Sequence, residues 1–493
     1  MTPVFHIRNL HQRLVMSDAA FFHILKQHTR VILFIVFAFA ILFRMPAIAW
    51  QGRFFGEEGA NFFAYAWHFA PSEALWHPLG GYLNIVASGV TMIAACFIKA
   101  GWLPLEQAPH LTVAVSFLFQ LCSGILILTS RARWLEQRWA VIAALFAIAA
   151  MPGTEEVFLN TLHVQFHLAV CVLIMITTEP ARAYIVRIGR LFLAFLAPLC
   201  GPLAIVLLPL AILRAWIDRS RLRWEEAGML TMGSAIQLLF FYTPSVSRTQ
   251  AMEPLNAAAA LFTRHVITPL AGQPAGEFFG DIAYSAVASG QKPWAIALAG
   301  IFYIGYAAWL AMRQKNVDAG LLLCAGLLIA GISYYRGLLV GYGLFNPYMG
   351  QRYNFVPQAA FTFALIALIR QSSGAARTRL VVPGVAMALV GIFSYSFPDT
   401  FISQGPDWRL EVVKWRADHS YQPKIWPAGW TVDLSDIAVP CPRNCQVAVS
   451  EYCDCAWDVR QRGELQLMQD APAASSHENM GKTQNEESAQ LQK

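Results

Sequence analysis

Charge is scarce in this sequence. Asp, Glu, Lys and Arg make up 13% of its 493 residues, while 56% are hydrophobic. A soluble domain carries about 25% charged residues, so composition argues against one. No phosphate-binding loop and no dinucleotide fingerprint occurs, and no internal repeat. The missing phosphate loop argues against an ATP-driven pump. The net charge of +6 gives no ground for a nucleic-acid partner, because membrane proteins keep basic residues in their cytoplasmic loops. Histidine is absent among Cys441, Cys445, Cys453 and Cys455. Their C-x3-C and C-x-C spacings suit zinc or disulfides, and the lack of His, with an expected outer location, favours disulfides of undetermined pairing. Cys96, Cys122, Cys171, Cys200 and Cys324 sit in apolar stretches and read as core residues.

The apolar residues come in blocks, and a spanning helix needs roughly 20 of them because lipid gives its backbone no partner. Spans are expected at 31–49, 109–130, 138–153, 161–178, 228–243, 293–312, 319–337, 352–370 and 380–397. The stretch 191–213 is apolar but broken by Pro198, Gly201, Pro202 and Pro209, which predicts two short helices forming a hairpin or re-entrant element. The fold expected is all-α: a polytopic transmembrane bundle of about 9–11 spans, with outer juxtamembrane helices and a small C-terminal extracytoplasmic segment. Ala47-Ile48-Ala49 mimics a signal-peptidase site, but the polar stretch before it is too long for a leader, so the first helix is read as a retained anchor.

Basic residues cluster in alternate loops: the N-terminus, 131–138, 182–190, 214–223, 313–315 and 370–379. Acidic residues lie mainly in the others. The positive-inside rule puts residues 1–30 in the cytoplasm and the C-terminus outside. This parity holds only if the apolar stretch 82–100 lies along the outer surface. Residues 31–397 are then the membrane domain, with a long outer loop at 50–108. Residues 398–470 form an outer segment rich in Trp and Cys, and 471–493 a disordered tail.

Three constellations gather at the outer ends of the spans. Glu57 and Glu58 open an aromatic helix (Phe62, Phe63, Tyr65, Trp67, Phe69) expected to lie flat in the interface. Either carboxylate could cap that helix or, beside Arg53, serve as a general base. The second group is Glu155, Glu156, Asn160, His163, Gln165 and His167. His163 and His167 are spaced to share a helix face, so a divalent metal and a hydrogen-bonding role are both open, the latter favoured. The third is Arg336 and Arg352, two arginines in an outer loop free of acid. They either snorkel or clamp phosphate. Arg248, Arg264, His265 and Lys292 are weaker outer-loop candidates of the same kind.

With these residues in place, the sequence resembles the polytopic GT-C glycosyltransferases, including aminoarabinose transferases and protein O-mannosyltransferases. The shared layout is one span, an acidic pair (Glu57-Glu58), an amphipathic helix, a segment like His77-Pro-Leu-Gly-Gly-Tyr-Leu, and a second acidic loop (Glu155-Glu156). Glu155-Glu156-Val-Phe-Leu-Asn-Thr-Leu-His, Gln351-Arg-Tyr-Asn-Phe-Val-Pro and Ile425-Trp-Pro-Ala-Gly-Trp resemble a bacterial branch near that class. The resemblance implies transfer of a sugar from a polyprenyl-phosphate carrier to a lipid or glycan acceptor, with inversion. It implies a bacterial inner-membrane location, Glu57 or Glu58 as base, Arg352 with Arg336 and the nearby Arg53 on the phosphate, Glu155 or Glu156 orienting the acceptor, and no required metal cofactor. Where many members carry an Asp-containing pair, this sequence has Glu-Glu. A glycolipid flippase and a non-catalytic partner in envelope polysaccharide assembly are the alternative functions.

Overall fold

The computed structural model describes residues 28–241, 253–337 and 341–435. The four clustered cysteines, Arg248 and the tail from 436 lie outside the described residues. Among the described residues the fold is all-α apart from one short hairpin. Among the described residues four helices are long and apolar enough to cross a membrane, and a fifth crossing follows if one bent pair counts as a span.

The first leg, α1 (His28–Leu42), stops earlier than its apolar pattern. Pro46 starts a separate short helix, α2 (Pro46–Gln51), because proline fits the first helical turn but not an interior. A π-helical turn, Glu58–Phe63, leads into α3 (Ala64–His68) and α4 (Pro71–Leu75). The expected interfacial helix is therefore broken and not laid bare. Phe54 stacks on Phe63 and meets Trp408 edge-on, and Trp67 meets Trp415, so the later outer segment covers it.

Next come α5 (Ile85–Lys99), α6 (Ala108–Thr129), α7 (Arg138–Ala150) and α8 (Val164–Thr177). Helix α5 is capped by Asn84, which accepts from Ala87 N. Then α9 (Tyr184–Leu199) meets α10 (Leu203–Val206) and α11 (Leu208–Asp218) at a 111° bend. Helix α12 (Arg221–Phe240) packs against both arms. After it run α13 (Pro254–Phe262), a π-turn at Thr263–Ile267, α14 (Thr268–Ala271), α15 (Gln273–Ala288), α16 (Trp294–Arg313) and α17 (Val317–Arg336). The last described helices are α18 (Tyr342–Phe345), α19 (Arg352–Gln371), α20 (Gly374–Ser396), α21 (Thr400–Ser403) and α22 (Trp408–Ala417). Strands β1 (Lys424–Ile425) and β2 (Trp430–Thr431) pair antiparallel.

Side-chain contacts sort the loops into two ends. At one end Arg190 donates to Glu226 at 2.6 Å and to Ser130 and Thr178. Arg214 donates to Asp318 at 2.8 Å, Gln314 to Ser372, and Arg370 to Glu136. This basic end collects the alternate loops that the charge pattern grouped together. At the opposite end Arg44 meets Glu155, Arg53 meets Phe158 and Ile402, and Asn354 meets Gly153. Both ends of α5 belong to this second end: Asn84 donates to Leu162 O and Lys99 to Trp67 O. Helix α5 thus runs along that end.

The bent pair behaves as a hairpin. Arg190 near its start and Arg214 near its finish are both at the basic end, while its tip reaches the opposite one. At the tip, Gly201 has φ of +154°, and a Cβ there would sit 1.9 Å from Gln165 Oε1. Each arm is about 24 Å long at 1.5 Å per residue, shorter than the roughly 30 Å of a hydrocarbon core.

Candidate functional site

The acidic motif splits into two carboxylates with different surroundings. Glu58 is fully buried. It accepts from Thr161 N at 2.6 Å, Thr161 Oγ1 at 2.5 Å and Phe55 N at 3.2 Å. Burial pushes its carboxyl above the usual carboxylate range, against the pull of those donors and of Arg53. Glu58 therefore ties the first acidic loop to the second. Glu57 is the residue before the π-turn and is only half-buried. It acts electrostatically on both Arg352 and Tyr82.

The second acidic pair divides likewise. Glu155 is buried against Arg44, Nη2 to Oε1 at 2.8 Å, and accepts from Ser394 Oγ at 3.1 Å. Glu156 pairs with the Arg352 guanidinium and also accepts from Arg352 N at 3.0 Å. Burial works to raise the Glu156 pKa, but Arg352 and His163 outweigh it and hold the carboxyl below its usual value. The backbone donor Arg352 N is the first N–H of α19, and the helix N-terminus favours the anion there. Arg352 stays 31% exposed, with its plane 5.0 Å from the Tyr353 ring.

Asn160, His163 and His167 organise the loop itself. Asn160 donates to Glu156 O and Phe158 O and accepts from His163 N. The rings of His163 and His167 lie 2.9 Å from Glu156 O and 3.2 Å from Val157 O. His163 precedes α8 instead of lying in it, so the two imidazoles are not set one turn apart on a helical face. Among the described residues no group of three His, Cys, Asp or Glu could hold a metal ion. Gln165 hydrogen-bonds the Tyr82 phenol, whose pKa rises through burial and the nearby Tyr353 and Glu57. His77 stacks on Tyr65 at 3.7 Å, and burial lowers its pKa to about 4, leaving it neutral.

The arginines separate too. Arg53 is buried, donates to Ile402 O and Phe158 O, and lies over Phe55 and Trp426. Burial lowers its pKa to about 9, against Glu58 and Glu156. It anchors the outer segment, where Gly56 N also bonds Trp426 O. Of Arg336 only the backbone, at the end of α17, is described. Arg264 and His265 are buried instead of presented in an open loop, and Lys292 pairs with Glu253 at 2.5 Å.

The groups left facing outward therefore converge on Glu57, Arg352, Tyr82 and Tyr353, backed by Glu156, Gln165 and His163. Tyr82 and Arg44 carry structural weight that sequence reading did not assign them. The signal for Arg44 was present: a charge beside the first apolar run needs a partner. Compared with protein-family models, curated proteins and solved structures, the chain matches none.

Proposed function

We propose that the chain is a polytopic membrane glycosyltransferase working at the acidic end of its bundle. In this reading α1, α6, α7, α8, α9, α11, α12, α16, α17, α19 and α20 cross the bilayer, with the basic end cytoplasmic. The observation that carries the reading is the division of labour in the acidic motif: Glu58 is consumed by Thr161 and Phe55, while Glu57 stays accessible beside Arg352.

Glu57 takes the proton from an acceptor hydroxyl. The oxygen attacks the anomeric carbon from the face opposite the carrier, forming the new glycosidic bond with inversion. The bond between that carbon and the phosphate oxygen breaks, and polyprenyl phosphate leaves with the electron pair. Arg352 stabilises that anion, since guanidinium matches phosphate oxygens and its charge counts for more at a partly desolvated site. Its pairing with Glu156 fixes the fork before substrate arrives. Gln165 and Tyr82 line the same mouth and orient the acceptor.

The test is transfer from radiolabelled polyprenyl-phosphate mannose and polyprenyl-phosphate aminoarabinose to lipid or glycan in membranes containing the protein. Arg352→Lys retains charge but loses the planar fork and should reduce turnover strongly. Transfer unchanged by that variant contradicts the phosphate assignment. A glycolipid flippase is the second reading, favoured by the α9–α11 hairpin and by the crevice between its arms at the basic end, where Arg214, Arg223 and Glu226 meet apolar walls. Movement of labelled glycolipid across liposomes without a new covalent bond distinguishes it.

A further inference from the structure

A second polar site lies behind the second acidic loop, joined to it through Asn354, which accepts from Arg264 and donates to Gly153 O, where α13 gives way to the π-turn Thr263–Ile267. Such turns insert a residue into a helix and often mark functional positions. Arg264 in this turn is wholly buried. It donates to Leu344 O, Gly343 O, Asn346 O, Met349 O and Asn354 Oδ1. Every one of these acceptors is neutral, and among the described residues Arg264 forms no ion pair. A buried cation without a counter-charge is expensive.

The next residue, His265, is equally enclosed, and neither ring nitrogen has a partner. Its ring stacks on Tyr334 with centroids 5.9 Å apart and sits 6.0 Å from Phe361. The Tyr334 hydroxyl and the Ser333 hydroxyl beside it in α17 are buried and unpartnered as well. Gln358 donates to Arg264 O at 3.0 Å, but its own Oε1 is unpartnered. Buried polar atoms are almost always satisfied, so several orphans next to an unpaired guanidinium point to a bound species.

We propose that this polar cluster binds a small monovalent inorganic anion, a halide, held by the imidazole N–H and the Tyr334 hydroxyl in the field of Arg264. One positive charge calls for one negative charge. The hydroxyl can rotate to donate, and a spherical ion imposes no directional demand on it. A divalent anion would leave excess negative charge in the bundle. The second imidazole nitrogen and Gln358 Oε1 accept from an accompanying water. The site is independent of the glycosyltransferase reading.

The experiment uses the full chain, purified in detergent, with its unfolding midpoint measured in sodium chloride, sodium bromide and sodium gluconate at equal ionic strength. Chloride and bromide should raise the midpoint over gluconate in a saturable way, and His265→Leu and Tyr334→Phe should each shrink that difference. Equal midpoints in all three salts mean the cluster is only hydrated, and the proposal fails. A halide effect undiminished in both variants places the ion elsewhere and also overturns it. Should the variants not fold, bromide-soaked crystals of the unaltered protein decide: an anomalous peak beside His265 and Tyr334 is expected, and its absence contradicts the proposal.

Discussion

Glu57 and Glu58 are neighbours in sequence, and a single substitution at each should have opposite consequences. Glu58→Gln keeps one carbonyl oxygen. If that oxygen serves Thr161 N at 2.6 Å, the new amide group faces Phe55 N, and two donors oppose each other. Leaving one buried donor unsatisfied costs about 1–3 kcal/mol, and Arg53 loses a nearby countercharge. At roughly 2–4 °C per kcal/mol for a large domain, the midpoint should fall by about 2–12 °C. Glu57→Gln removes a half-buried carboxylate with no such donor set, so its effect should stay within about 0.5 kcal/mol. Midpoints from thermal challenge followed by size-exclusion chromatography in detergent would separate the two. A stable Glu58→Gln protein beside a destabilised Glu57→Gln protein would refute the assignment of Glu58 as the structural member.

Breaking the buried Arg44–Glu155 pair by Glu155→Gln should destabilise by about 3–5 kcal/mol, more than Arg44→Met combined with Glu155→Gln, because one charge alone is left buried; a double-mutant cycle measures this. Gly201→Ala should lower the midpoint and disturb Gln165, since the added Cβ would meet Gln165 Oε1 at 1.9 Å; unchanged stability would count against the close approach of the hairpin tip. Stability should also depend on pH with two signs. Glu58, raised above 4.5 in the folded chain, favours the fold less as pH climbs from 4.5 through its folded value. Glu156, held below 4.5, contributes stability above 4.5 that is lost as pH falls through its folded value. Their joint contribution therefore peaks near pH 4.5, and Glu58→Gln should flatten only the higher-pH limb of a midpoint-against-pH profile.

Much of the architecture is legible in the sequence because lipid forces it. Long apolar blocks become helices, and the basic loops at Arg190, Arg214, Arg313 and Arg370 gather at one end as their charges suggest. Prolines 198 and 202 announce the hairpin. Helix boundaries are less legible: α1 ends before Arg44, whose guanidinium reaches Glu155, a partner more than a hundred residues away. The candidate site is legible only as a set of residue types. Both Glu-Glu pairs look symmetrical on paper, yet in each pair one carboxylate is locked into the scaffold and the other faces Arg352. Burial and partner geometry decide that split, and neither has a local sequence signal. The same holds for Arg53, whose nearness to the acidic motif suggested a phosphate ligand but whose donors go to the carbonyls of Phe158 and Ile402.

The most direct test of the central claim is the sugar-transfer rate of Glu57→Gln in membranes, at protein levels matched to the unaltered chain. General-base catalysis contributes about 10²–10⁴-fold, so transfer should fall by at least about 100-fold while the unfolding midpoint stays unchanged. Full transfer activity in Glu57→Gln at normal protein level would contradict the account.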